Sequence, residues 1–225
     1  MKLKEHIFGE TVCKIKMSAH ESDNYYNDKW LYLTAGICGD EPEAIFVVEQ
    51  LKLWIERDFF HQIPLIILPI INYDGYYINA KLNAQGLNLN HSFPRSVLRR
   101  AQGMDTRGVP SADANRVPEV FFLKKLMQKQ LPGLVVNFRT SPKPKIIINA
   151  EEGANVGRYF SLLTRYQMIH DNKSPPGSLE AFVNDYLLCP SVTIKLPIGT
   201  PSLSFKNIWN EIKLPLTQLL SGQIY

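Results

Sequence analysis

The chain has 225 residues, 45% apolar and 20% charged, with a formal net charge of +4. That length holds one sizeable α/β domain with a full core and leaves little room for a second. The composition is ordinary for a soluble globular protein, no run approaches the ~20 apolar residues of a membrane span, and the basic residues form no stripe interleaved with aromatics, which excludes nucleic acid as an expected partner.

Residues 30–37 read WLYLTAGI, an apolar run rich in strand formers, and Gly36, Cys38, Gly39 and Asp40 make a turn after it. Ile45, Val48, Leu51 and Ile55 then recur three or four apart, the spacing of an amphipathic helix, with Pro42 where a first helical turn tolerates it. Residues 64–71 (PLIILPII) are apolar almost throughout, as expected of a strand covered on both faces. From Asn72 to about Asn115 no period holds, apart from a turn near Val97, and loops this long inside compact domains are usually functional. Residues 117–131 return to helical spacing. Residues 133–138 (GLVVNF) and 145–150 (KIIINA) are two more strands, 155–169 is helical, and 171–177 is a loop. Leu179, Phe182, Val183, Tyr186 and Leu187 mark a short helix and residues 191–196 (SVTIKL) another strand. Residues 205–220 are helical in spacing, with Pro215 expected to kink or split the helix. Strands alternating with helices predict one three-layer α/β/α domain over residues 1–225, built on a mixed, mainly parallel central sheet.

Cys13, Cys38 and Cys189 are odd in number and widely spaced, which argues against a disulfide framework and fits a reducing compartment. Residues 1–17 hold no apolar stretch of signal-peptide length. The expected location is therefore the cytoplasm. Arg95, Arg99 and Arg100 are the one short basic cluster.

In open α/β sheets, ligands bind outside the carboxyl ends of the strands. Three such ends carry polar residues here: Gly36 to Glu41, Asn72 to Gly75, and Asn137 to Thr140. Taken singly, each has the chemistry of a turn. Together they resemble a known family. Cys38 to Pro42 is similar to the His-Gly-Asp-Glu-Pro segment of zinc carboxypeptidases, their amidase relatives and the aspartoacylase-like deacylases. Asn72-Tyr73-Asp74-Gly75 resembles their Asn-Pro-Asp-Gly. Residues 81–94 (KLNAQGLNLNHSFP) resemble Arg-x-Asn-x-x-Gly-Val-Asp-Leu-Asn-Arg-Asn-Phe-Pro. Pro118-Glu119 resembles the Pro-Glu that opens a following helix, and Val135 to Thr140 the strand ending Asp-Leu-His-Ser. Gly177-Ser178-Leu179 and Thr193-Ile194-Lys195-Leu196-Pro197 resemble the family's Gly-Ser-Leu and Thr-Ile-Glu-Leu-Pro. The matches run in order from about residue 30 to 200, and NAQGLNLN leans towards the bacterial murein peptide amidases.

The resemblance also implies a site, and this chain departs from it. The family holds zinc with His, Glu and a second His, leaving a fourth position for water. Carried over, these positions are Cys38, Glu41 and Arg139. Cys38 is a metal ligand as a thiolate, whereas a guanidinium offers no lone pair and carries positive charge. No histidine lies between Phe93 and Ile169, so no nearby shift restores the second one. The family's general base, a Glu, falls on Lys195, an amine protonated near neutral pH unless burial or a neighbouring cation depresses its pKa. The carboxylate-binding set becomes Lys81, Asn90 and His91: a point charge for a bidentate fork, and a pH-dependent anion binder.

The implied roles are thus Lys195 at the catalytic position, Lys81, Asn90, His91 and Arg139 for substrate, and Cys38 and Glu41 as residual metal positions. Cys38 can be read as a ligand, as a nucleophile paired with His91, or as a small buried residue. Arg139 and Lys195 can pair with Glu41 in place of zinc, or form with Lys81 and His91 a positive pocket for a carboxylate or phosphate. His6, His20, His61 and His170 fall outside the motifs and read as surface or packing. Three functions follow. The first is a catalytically impaired or inactive relative of murein peptide amidases that binds a small anionic or peptide ligand, without a cofactor. The second is a zinc-dependent carboxypeptidase or amidase acting through a non-standard metal site. The third is a structural role with the cleft closed.

Overall fold

The computed structural model describes residues 3–23, 29–58, 63–94, 114–171, 174–200 and 203–222. Its strands in chain order are β1 (Lys4–Glu10), β2 (Lys16–Glu21), β3 (Trp30–Thr34), β4 (Leu65–Leu68), β5 (Pro132–Ser141), β6 (Lys145–Ile148), β7 (Gln167–His170) and β8 (Ser191–Pro197). They form one eight-stranded sheet in the order β1-β2-β4-β3-β5-β8-β6-β7. β4, β3, β5 and β8 are parallel. The β1–β2 hairpin joins β4 antiparallel, and β6 with its parallel neighbour β7 runs antiparallel to β8.

The helices are α1 (Pro42–Asp58), α2 (Tyr73–Tyr77), α3 (Pro118–Lys129), α4 (Ala154–Thr164), α5 (Leu179–Asp185) and α6 (Phe205–Leu220). Side chains alternate across a strand, so each strand feeds two cores. Leu31 and Leu33 of β3 join α1, α4 and α6 on one face, while Tyr32 joins α3 and α5 on the other. Each fully buried side chain there, such as Phe138 or Phe182, contributes roughly 1.5–3 kcal/mol. The layers and the mixed, mainly parallel sheet are those expected.

Some elements differ from expectation. The helix expected over residues 155–169 ends at Thr164, because Arg165 turns left-handed (φ 62°) and the chain re-enters the sheet as β7. The Thr164 hydroxyl fixes that corner, donating to Phe160 O at 2.6 Å and accepting from Tyr166 N at 3.2 Å. Pro215 does not split α6, whose stripe of Ile208, Ile212, Leu216 and Leu219 is buried against the sheet. The strand expected to Ala150 ends at Ile148. The stretch after Asn72 contains α2 and 3-10 turns at Leu89–His91 and Ala114–Arg116. Val97, Arg95, Arg99, Arg100 and His61 lie outside the described residues. Among the described residues, no helix is long and apolar enough to cross a membrane.

What positions the site is register. Thr34, Asn137 and Thr193 stand side by side near the carboxyl ends of β3, β5 and β8, and two residues on, Arg139 faces Lys195. Two glycines bring loops onto this edge. A Cβ at Gly39 would collide with the Gly75 backbone, so the β3–α1 loop and α2 pack main chain to main chain. At Gly177, φ is 82° and a Cβ would come 2.6 Å from His91 O, which seats the α5 approach on the Leu89–His91 turn.

Candidate functional site

Arg139, near the end of β5, reaches into the β3–α1 loop. Its Nε donates to Glu41 Oε2 at 2.7 Å and Oε1 at 3.0 Å, and its Nη2 donates to Cys38 Sγ at 3.3 Å. The pair is nearly out of solvent, with side chains 15% and 10% exposed for Arg139 and Glu41. Burial works against the Arg139 charge, but the bonds and charge of Glu41 outweigh it and hold the guanidinium protonated. Burial also raises the Glu41 carboxyl above its usual range, against the pull of Arg139. Cys38 is 1% exposed, and burial pushes its thiol up to about 11, so it is neither thiolate nor nucleophile near neutral pH. Among the described residues, no hydrogen bond joins Cys38 to His91.

Beneath Arg139 lies a buried polar chain. Thr34 Oγ1 donates to Asn137 Oδ1 at 3.0 Å, Asn137 Nδ2 donates to Glu180 Oε1 at 2.7 Å, and Thr193 Oγ1 donates to the same oxygen at 3.2 Å. Buried polar groups must be paired, and here three strands and α5 satisfy one another.

Beside it opens a cavity of about 240 Å³, lined among others by Asn90, Arg139, Lys145, Glu180, Thr193 and Lys195. Lys195 is half-buried; burial, then Lys145 and Arg139, lower its pKa below the usual lysine range. Asn90 is tied to the start of α5, its Oδ1 accepting from Leu179 N at 3.2 Å. Asn149, also in the lining, donates to Ser174 Oγ at 2.6 Å and Asp171 O at 2.8 Å.

Of the residues singled out from the sequence, the structure gathers Asn90, Arg139 and Lys195 around the cavity, with Cys38 and Glu41 behind Arg139. Among the described residues, Glu41 pairs with Arg139 and not with Lys195. Lys81 and His91 are exposed and do not line the cavity, although the Lys81 charge acts on the Cys38 thiol. Among the described residues, no three His, Cys, Asp or Glu side chains converge as a metal-ligand set. His20 is buried and the other described histidines outside the motifs are not.

Nearly all of the chain superposes on solved structures. It matches murein-tripeptide amidase MpaA from Escherichia coli O157 with a TM-score of 0.72 at 19% identity, covering 96% of this chain and 91% of that one. It matches a metallo-carboxypeptidase from Burkholderia cenocepacia with a TM-score of 0.73 at 15% identity, covering 97% of this chain and 64% of that one. Bovine thrombin-activatable fibrinolysis inhibitor gives 0.73 at 12% identity over 98% of this chain and 90% of that one. This chain has the metallocarboxypeptidase fold. No protein-family model and no curated protein matches its sequence. Within that fold, Lys145, Asn149, Asp171, Glu180 and Thr193 line the cavity without having been candidate site residues in the sequence. Lys145 comes from an antiparallel strand whose place in the sheet no motif announces. Asn137 and Thr193 sat inside quoted motifs, two residues before the positions that drew attention.

Proposed function

We propose that this chain is a hydrolytically silent carboxypeptidase-type protein that binds a small anionic or peptide ligand in the cleft between the β3–α1 loop, β5 and β8. The observation that carries this is the Arg139 clamp. One guanidinium engages both Glu41 oxygens and the Cys38 sulfur, the two side chains at the residual metal positions. The donor set does not fit zinc. It offers one thiol and one carboxylate, both already engaged by Arg139, and a permanent cation in the place of a third ligand. Lys195, half-buried beside Lys145 and Arg139, brings an ammonium donor where the resemblance puts a carboxylate, and that makes it an anion contact. The likeness to a murein-tripeptide amidase supports a peptide-shaped cleft, and the cavity suits a ligand well below drug size.

The test is metal content and hydrolysis together. Protein purified without chelator is expected to carry substoichiometric zinc and to leave a murein tripeptide uncleaved with or without added zinc. One zinc per chain, lost in Cys38→Ala or Glu41→Ala together with peptide cleavage, would establish a zinc-dependent carboxypeptidase or amidase instead.

A further inference from the structure

The register across β5, β8 and β6 sets three cations in a row. Arg139 is the Cα partner of Lys195 on one side, and Lys145 is its partner on the other. All three line the same cavity. Arg139 is neutralised by Glu41. Lys145 and Lys195 are not: among the described residues, neither lies within ion-pair distance of a carboxylate. Two carboxylates, Glu180 and Asp171, also line the cavity: Glu180 is tied to the strands through Asn137 and Thr193 and its charge acts on Lys195 without forming an ion pair, and Asp171 has a partner of its own. Like charges directly opposite on neighbouring strands are destabilising. A cavity that keeps two such ammonium groups together is organised for a counter-charge from outside.

We propose that Lys145 and Lys195 jointly hold a small dianion, either phosphate or a short dicarboxylate, in this cavity. The proposal rests on the cleft being an anion-binding site, and it adds the number of charges and the residues that read them. A single carboxylate satisfies one ammonium and leaves the other opposed. A dianion neutralises both and relieves their mutual repulsion. The cavity of about 240 Å³ suits a compact group, and Asn90 and Thr193 are neutral members of its lining.

The experiment is calorimetric titration at fixed ionic strength and pH 7 with four probes: inorganic phosphate, succinate, acetate and the tripeptide Ala-Ala-Ala. Phosphate or succinate should bind once per chain, and whichever binds names the source of the dianion. Acetate should bind about tenfold or more weakly, the effect of losing one charge-assisted contact. Lys145→Gln and Lys195→Gln should each weaken the dianion by about tenfold or more, Lys195→Arg should restore it, and Lys143→Gln, exposed and outside the lining, should leave it unchanged. Thermal melts should show the dianion raising the midpoint of the parent chain and not that of the two Gln variants, with the unliganded Gln variants melting no lower than the parent. Equal binding of acetate, or dianion affinity unchanged in both Gln variants, overturns the proposal. Binding of the tripeptide with neither phosphate nor succinate overturns it while leaving the cleft reading intact. Binding of none of the four overturns both.

Discussion

The two halves of this cleft treat charge in opposite ways. At the β3–α1 corner, Arg139, Glu41 and Cys38 close on one another, and the positive charge is matched within the protein. A few ångströms along the sheet, at β8 and β6, Lys195 and Lys145 face each other, and among the described residues neither is in an ion pair. Both arrangements arise from the same register of polar residues near the strand ends. The contrast teaches that a buried cation does not by itself make a binding pocket. A cation with a buried partner becomes structure, and a cation without one stays available to a ligand.

The largest test breaks the closed half. Arg139→Met removes the partner of a buried carboxylate, and breaking a buried pair from one side costs about 3–5 kcal/mol. Urea unfolding should show that loss, and Glu41→Gln combined with Arg139→Met should recover most of it. If the single variant costs less than about 1 kcal/mol, the corner is solvated and not a closed pair. A smaller loss, about 1–3 kcal/mol, is expected for Asn137→Ala, which strips Glu180 of its 2.7 Å donor and leaves Thr34 without its acceptor.

These residues also show how far the sequence could be read. β3, α1, β4 and β5 were legible because their apolar period survives into the folded packing: Leu31 and Leu33 on one face, Tyr32 on the other. β7 was not, because helical spacing continues past Arg165, and the left-handed turn there falls on a residue that does not advertise it. The β1–β2 hairpin escaped because β1 is an exposed edge strand, KEHIFGE, with no apolar run. At the site, ordered motifs were enough to bring Glu41 and Arg139 together across 98 positions of chain. They could not place Lys145, because which strand lies beside β8 is decided by an antiparallel insertion between β8 and β7, a property of sheet order and not of any local pattern.

The Cys38 thiol sharpens the closed half further. Its folded pKa is raised by burial to about 11, above that of an unfolded cysteine. The unfolded thiol therefore ionises first, and the contribution to stability falls as pH rises from about 9 to about 11. Wild type should lose stability over that window relative to Cys38→Ala. Iodoacetamide at pH 8 should label exposed Cys13 and spare Cys38 and Cys189 in the folded chain. Labelling of Cys38 at the same rate as Cys13 would mean that the corner opens to solvent.

The smallest effect tests the open half in the absence of ligand. Lys195→Gln removes one of two opposed charges, worth only about 0.2–0.5 kcal/mol for groups this close to solvent. The expected sign is the informative part: the variant should be slightly more stable than the parent, since Lys195 is held below its usual pKa by burial and by Lys145 and Arg139. A lysine whose folded pKa is depressed carries its penalty at low pH and loses it as pH rises through that pKa. The advantage of Lys195→Gln should thus be largest near neutral pH, shrink towards pH 10, and shrink with added salt, which screens the repulsion. A variant less stable than the parent at neutral pH would mean that Lys195 has an internal partner. The two halves of the cleft would then be alike.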